Sequence, residues 1–178
     1  SYPLWRAKST DERGAILRKT GALLRERASE IARIATLEQG KPVKEAFGET
    51  IYAAMLFEYY AEEAKRTYGR TMVRPRGALS RVSYEPIGPV AAFAPWNFPV
   101  LNPARKLAPA LAAGNSIIIK PPEETPGTAI AIMQALIDAG LPAGTAQMVF
   151  GVPDTVSRHL LASPIIRKVS FTGSVPVG

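Results

Sequence analysis

A chain of 178 residues can bury one good core, or one domain plus pieces of another. With 47% hydrophobic and 21% charged residues it is neither disordered, collagen-like nor fibrous, and the absence of cysteine excludes a disulfide framework and a thiolate metal site. The net charge of +7 raises nucleic acid as a partner, yet Arg18, Lys19, Arg25, Arg27, Arg33, Lys65 and Arg66 are dispersed and mostly alternate with Glu, as on solvated helix faces. No apolar run reaches bilayer length, and Ser1-Tyr2-Pro3-Leu4-Trp5-Arg6 lacks the basic head and apolar stretch of a signal peptide. The expectation is a cytoplasmic protein with no membrane, nucleic-acid or metal partner.

The first third reads as helix. Ser9-Thr10-Asp11-Glu12 fits a capping box, with Ser9 as N-cap and Glu12 reaching back. Leu17, Gly21, Leu24, Ala28, Ile31 and Ala35 then alternate by fours and threes, which puts them on one helix face. Gly40 is a stop, and Pro42 suits the first turn of a second long helix with Val43, Phe47, Ala54, Phe57 and Ala61 as its buried stripe. Thr71 to Arg74 and Arg81 to Tyr84 are short and β-prone, with a turn at Pro75-Arg76-Gly77-Ala78, so a hairpin is expected.

From Pro89 the pattern alternates. Strands are expected at Val90–Ala94, Ser116–Lys120, Gln147–Phe150 and Arg167–Phe171. Helices are expected at Pro103–Ala113, Pro126–Ala139 and Pro153–Ala162, with Pro109 bending or shortening the first and Thr125 capping the second. Short apolar strands alternating with helices predict a parallel, doubly wound α/β sheet. In such a sheet ligands bind beyond the carboxyl ends of the strands. The unusual residues fall there: Pro95-Trp96-Asn97-Phe98-Pro99, Lys120-Pro121-Pro122-Glu123-Glu124-Thr125-Pro126, Gly151, and Thr172-Gly173-Ser174. Each has a plainer explanation. Trp96 and Phe98 can be core aromatics, Asn97 a turn residue, Lys120 a solvated charge, and Glu123 a partner for the positive end of the following helix. His159, inside an expected helix with no carboxylate in sequence reach, reads as packed or surface histidine.

Taken together, these segments resemble the aldehyde dehydrogenase superfamily. Pro95 to Pro99 looks like its PWNFP segment. Lys120 to Pro126 is similar to its KPSExTP segment with Pro122 in place of Ser, and Phe171-Thr172-Gly173-Ser174 to its FTGS segment, with Gly178 as the last glycine of GSxxxG. Glu38-Gln39-Gly40-Lys41-Pro42 matches its ExGKP between the two long helices. Glu45-Ala46 and Gly48-Glu49 look most like the succinate-semialdehyde dehydrogenase group. The resemblance implies a Rossmann-like doubly wound parallel sheet preceded by two long helices and a β-hairpin, a truncated aldehyde dehydrogenase fold. Residues 1–68 would form the helical part of the cofactor-binding domain, 69–86 the hairpin of the oligomerisation element, and 87–178 the Rossmann-like dinucleotide-binding region.

The resemblance also implies a reaction. A cysteine thiolate attacks an aldehyde, hydride passes to a nicotinamide cofactor, and a glutamate-activated water hydrolyses the thioester. That cysteine and glutamate correspond to positions beyond Gly178, so the chain is expected to be a fragment of such an enzyme, inactive alone; the other reading is a non-catalytic nucleotide-binding or interaction module. Asn97 would donate to the oxyanion. Lys120 and Glu123 would meet the adenine-ribose hydroxyls, Glu123 favouring NAD over NADP while Lys120 tolerates either. Gly151 would lie against the adenosine, Gly173 and Ser174 at the pyrophosphate, and Trp96 along the cofactor and substrate channels. Succinic semialdehyde or a related semialdehyde is the implied substrate. Arg105 is either a contact for its carboxylate or a solvated arginine. The full-length protein would be a homodimer or homotetramer.

Overall fold

The structure is a computed structural model describing residues 1–178. After the short helix α1 (Tyr2–Arg6) come α2 (Thr10–Glu26), α3 (Ala28–Gln39) and α4 (Val43–Glu63). The capping box at the start of α2 is present: Glu12 N–H donates to Ser9 Oγ at 3.2 Å, and Ser9 N–H donates back to Glu12 Oε2 at 2.8 Å.

The predicted first long helix is two helices. Arg27, at φ −92° and ψ 7°, separates α2 from α3, and its guanidinium is paired with Asp138 at 2.6 Å. The apolar positions on both sides of the break stay buried, because both α2 and α3 pack on α4. The stripe expected on α4 is right at Ala54, Phe57 and Ala61 and wrong at its start. Val43 and Phe47 are exposed, and Ala46, Glu49, Thr50 and Ala53 are buried in their place. Glu49 can occupy that face because its charge is paired there, which the spacing of apolar residues does not reveal.

β1 (Arg70–Val73) and β2 (Leu79–Val82) form the hairpin, antiparallel, pairing Arg70 with Val82 and Val73 with Leu79. Its second strand starts two residues earlier than expected. Four strands follow, β3 (Val90–Phe93), β4 (Ile117–Lys120), β5 (Ala146–Met148) and β6 (Lys168–Phe171), joined by α5 (Leu101–Ala112), α6 (Pro126–Asp138) and α7 (Pro153–Ala162). All are parallel, in the order β5-β4-β3-β6. α5 runs through Pro109 to Ala112, so the proline does not shorten it to that point.

The chain winds outward from β3 through β4 to β5 and then returns to the other side of β3 as β6. Right-handed crossovers therefore place α5 and α6 on one face and α7 on the other. Side-chain burial shows the two layers. Val90, Ala92, Ile117 and Ile119 belong to the main core with α5, α6 and the helices α2 to α4. Ala91, Phe93 and Ile118 face Val156 and Leu160 of α7. Trp5, fully buried, ties α1 to this core by donating from Nε1 to Leu111 O at 3.0 Å.

Candidate active site

The parallel register aligns the carboxyl ends of the strands. Phe93 lies opposite both Lys120 and Phe171, and the ladder continues into the loops: Ala94 N–H donates to Lys120 O at 3.2 Å, Thr172 N–H to Phe93 O at 3.1 Å. The loops after β3, β4 and β6 thus leave one rim side by side. Strand order reverses between β3 and β6, which makes the crevice between their loops the topological switch point. Asn97 lies on one side of that crevice, Gly173 and Ser174 on the other.

The Asn97 loop is held by the segment that connects α3 to α4. Lys41 Nζ donates to Asn97 O at 3.2 Å and stands 4.6 Å above the Phe98 ring, and Gln39 Nε2 reaches the same carbonyl at 3.4 Å. Lys41 is ion-paired with Glu49, and the two side chains are only 10% and 4% exposed. The other oxygen of Glu49 accepts from Val100 N–H and Leu101 N–H, both at 2.9 Å. A carboxylate there satisfies orphan donors at the start of α5 and suits the positive helix end. Asn102, in the first turn of α5, donates from Nδ2 to Asn97 Oδ1 at 3.1 Å. Asn97 and Trp96 are themselves exposed, so both face outward from a rigid base. Trp96, at 51% exposure, is not the core aromatic that its type first suggests.

A second cluster forms around β4. Lys120, 6% exposed, pairs with Glu123 at 2.5 Å and donates to Pro121 O at 3.2 Å. Burial pushes the Glu123 carboxyl up, but the hydrogen bond from Lys120, with backbone amides at Glu123 itself and Gly151, outweighs it and leaves the pKa lowered. Glu123 is therefore ionised, with one oxygen engaged by Lys120. Gly151 has φ +145°, a backbone conformation that strains any L side chain, and an added Cβ would also meet Val156 Cγ2 at 3.2 Å. Gly173 has a steric reason of its own: a Cβ there would fall 2.4 Å from the Phe171 ring. Ser174 begins a turn in which its carbonyl accepts from Val177 N–H and Gly178 N–H. Ammonium, carboxylate and hydroxyl, with glycines where the backbone can be approached closely, are groups that suit a dinucleotide's hydroxyls and pyrophosphate, so this set fits one.

On the β6 side of β3 lies Lys106, buried on α5. It donates to Thr172 Oγ1 at 2.9 Å and Ser170 Oγ at 3.2 Å, with no carboxylate partner, and burial lowers its pKa. It couples α5 to the loop after β6. The sequence reasoning gave no role to Lys106, Glu49, Lys41, Gln39 or Asn102. A usable signal existed for Glu49, a charge at a core position of a helical stripe. His159 stands outside the site, exposed on α7. Arg105 is exposed on α5 and takes part in none of the ion pairs.

The predicted N-cap of α6 is corrected. Thr125 makes no capping bond, and its buried hydroxyl is unpartnered. The acceptor comes from α3. Glu38 takes Gly127 N–H at 2.6 Å and Thr128 N–H at 3.0 Å. The motif from Glu38 to Lys41 thus anchors α6 with its first residue and the Asn97 loop with its second and fourth.

Parallel-sheet architecture and rim place this molecule among the doubly wound nucleotide-binding α/β folds. All 178 residues match the model of the Aldehyde dehydrogenase family, and the chain belongs to that family. It is 50% identical to the 4-(hydroxymethyl)benzenesulfonate dehydrogenase TsaD1 of Comamonas testosteroni and 45% identical to the NADP(+) succinate-semialdehyde dehydrogenase GabD of Escherichia coli, over its whole length and 37% of theirs. It superposes on a crystal structure of succinate-semialdehyde dehydrogenase from Burkholderia pseudomallei with TM-score 0.98 at 46% identity, covering 99% of this chain and 37% of that one. The chain thus spans little more than a third of the relatives it matches.

Proposed function

We propose that the protein containing this chain oxidises a small aldehyde bearing a remote anionic group to the carboxylic acid, with NAD(P)+ as hydride acceptor. The observation that carries this reading is Asn97, an exposed carboxamide at the switch-point crevice whose main chain is pinned by Lys41 and Gln39. Such a donor stabilises an oxyanion without reorganising. The family resemblance assigns the attack to a cysteine thiolate, and these 178 residues contain no cysteine. They would supply the oxyanion donor and much of the cofactor site, and they are expected to be inactive alone.

The anionic substrate is supported by what the relatives are called. Their names carry succinate, glutarate, sulfolactaldehyde and benzenesulfonate groups. Arg105, exposed and unpaired one helical turn into α5, is the cation that would meet a carboxylate or sulfonate. Glu123 would accept from a free ribose hydroxyl and repel a 2′-phosphate, but its pairing with Lys120 offsets part of that charge. NAD is therefore proposed as the preferred cofactor, with NADP used less well. The hairpin exposes Val73, Leu79 and Val82, and we propose that it is covered by a second copy in a homodimer or homotetramer.

The test is acid formation from succinic semialdehyde with NAD+ and NADP+, comparing the whole gene product, its Arg105→Ala variant and residues 1–178. Expected are turnover by the whole product only, and a KM for the semialdehyde raised about tenfold or more by Arg105→Ala, as loss of one charge-assisted bond predicts. An unchanged KM would remove Arg105 from the substrate site. Absence of aldehyde oxidation across a panel of anionic and neutral aldehydes would favour a nucleotide-binding module.

A further inference from the structure

A carboxamide can stabilise an oxyanion only with its nitrogen end, yet the two ends of the Asn97 group are nearly identical in shape. Something must choose between them. In the fold the chooser is visible: Asn102 Nδ2 donates to Asn97 Oδ1 at 3.1 Å. That bond occupies the acceptor end of Asn97 and leaves its NH2 turned away, free to donate into the crevice. Asn102 is itself fixed. It is 5% exposed, its own N–H donates to Phe98 O at 2.9 Å, and the neighbouring amides of Val100 and Leu101 are held by Glu49. We infer that Asn102 is a positioning residue that sets the orientation of the Asn97 amide for catalysis. This rests on the proposed role of Asn97 as oxyanion donor.

Asn102→Asp separates the idea from simple structural support. The aspartate has the same shape, but its carboxylate only accepts. It would draw the NH2 end of Asn97 inward and turn Oδ1 toward the developing negative charge. When protonated, the same side chain regains a donor and restores the parent orientation.

The experiment measures kcat and KM for succinic semialdehyde with NAD+ across a pH series. It uses the whole gene product and its Asn97→Ala, Asn102→Asp and doubly substituted forms, with thermal melting as a check on folding. Asn97→Ala is expected to lower kcat about 10²–10³-fold, as for loss of one oxyanion donor. Asn102→Asp is expected to lower kcat by about tenfold or more with little change in KM, the loss shrinking as pH falls. In the Asn97→Ala background it should have no further effect, because its target is gone. A pH-independent loss, or an equal loss in the Asn97→Ala background, would overturn the inference in favour of a structural role. So would parent-like kcat in Asn102→Asp while Asn97→Ala is impaired. Parent-like kcat in Asn97→Ala would instead sink the underlying reading of Asn97. Should Asn102→Asp fail to fold, Asn102→Leu serves. It frees the amide to rotate, and it should lower kcat less than Asn97→Ala does; no loss overturns the inference.

Discussion

Glu49 shows how much one residue can hold. Its carboxylate, 4% exposed, neutralises Lys41 and accepts two amides at the start of α5. Removing it takes the counterion from a nearly buried ammonium and leaves two buried N–H donors unpaired. Glu49→Ala is therefore expected to destabilise the protein by about 3–5 kcal/mol, the range for breaking a buried ion pair from one side. Urea unfolding of the whole gene product measures this; a change under about 1 kcal/mol would mean that water replaces the carboxylate, as it does for surface pairs. At this scale the sequence singled out Asn97, Lys120 and Glu123 by type and place. It gave no role to Glu49 or Asn102, because two of the groups that Glu49 holds, the amides of Val100 and Leu101, are 51 and 52 residues away, and the bond from Asn102 is hidden by an ordinary helix start.

Helix termini are where local and distant chemistry part. The Ser9–Glu12 box closes within four residues, so spacing alone specified it. At α6 the local candidate, Thr125, caps nothing, and Glu38 from eighty-nine residues upstream does. Two substitutions should separate them. Glu38→Ala is expected to cost about 0.5–2 kcal/mol, the value of a lost cap. Thr125→Val, which replaces an unpartnered buried hydroxyl with a methyl, is expected to be neutral or stabilising. Thermal melting checks both, and the reverse order would restore Thr125 as the cap. The break between α2 and α3 belongs here too. Periodicity carried across Arg27 because both halves bury a stripe against α4, so the pattern of burial was legible and the bend was not.

Across the whole molecule, carboxylates with lowered pKa tie the helices together. Arg25 hydrogen bonds hold Glu58 low between α2 and α4. Lys65 and then Arg18 hold Glu62 low, and Gln134 and then Arg27 do the same for Asp138. A folded-state pKa below the unfolded one adds stability above the ordinary carboxylate range, and that stability is lost as pH falls through the folded values. The protein should therefore lose stability on acidification. Glu58→Gln should melt below the parent at neutral pH, with the difference closing toward acid as Glu58 itself is protonated. Because these side chains are substantially exposed, the effect at each is small. A gap that stays constant with pH would assign the Glu58 contribution to packing.

The sequence by itself determined the strand and helix alternation, the parallel sheet it implies and the rim on which the unusual residues gather. Those follow from periodicities of two and 3.6 and from glycine and proline punctuation, all of which act within a few residues. Only the tertiary structure decided which charges are buried, which end of α6 is capped by what, and how Asn97 is held. Each of those depends on a partner supplied by another element, and a buried polar group is tolerated only where such a partner meets it.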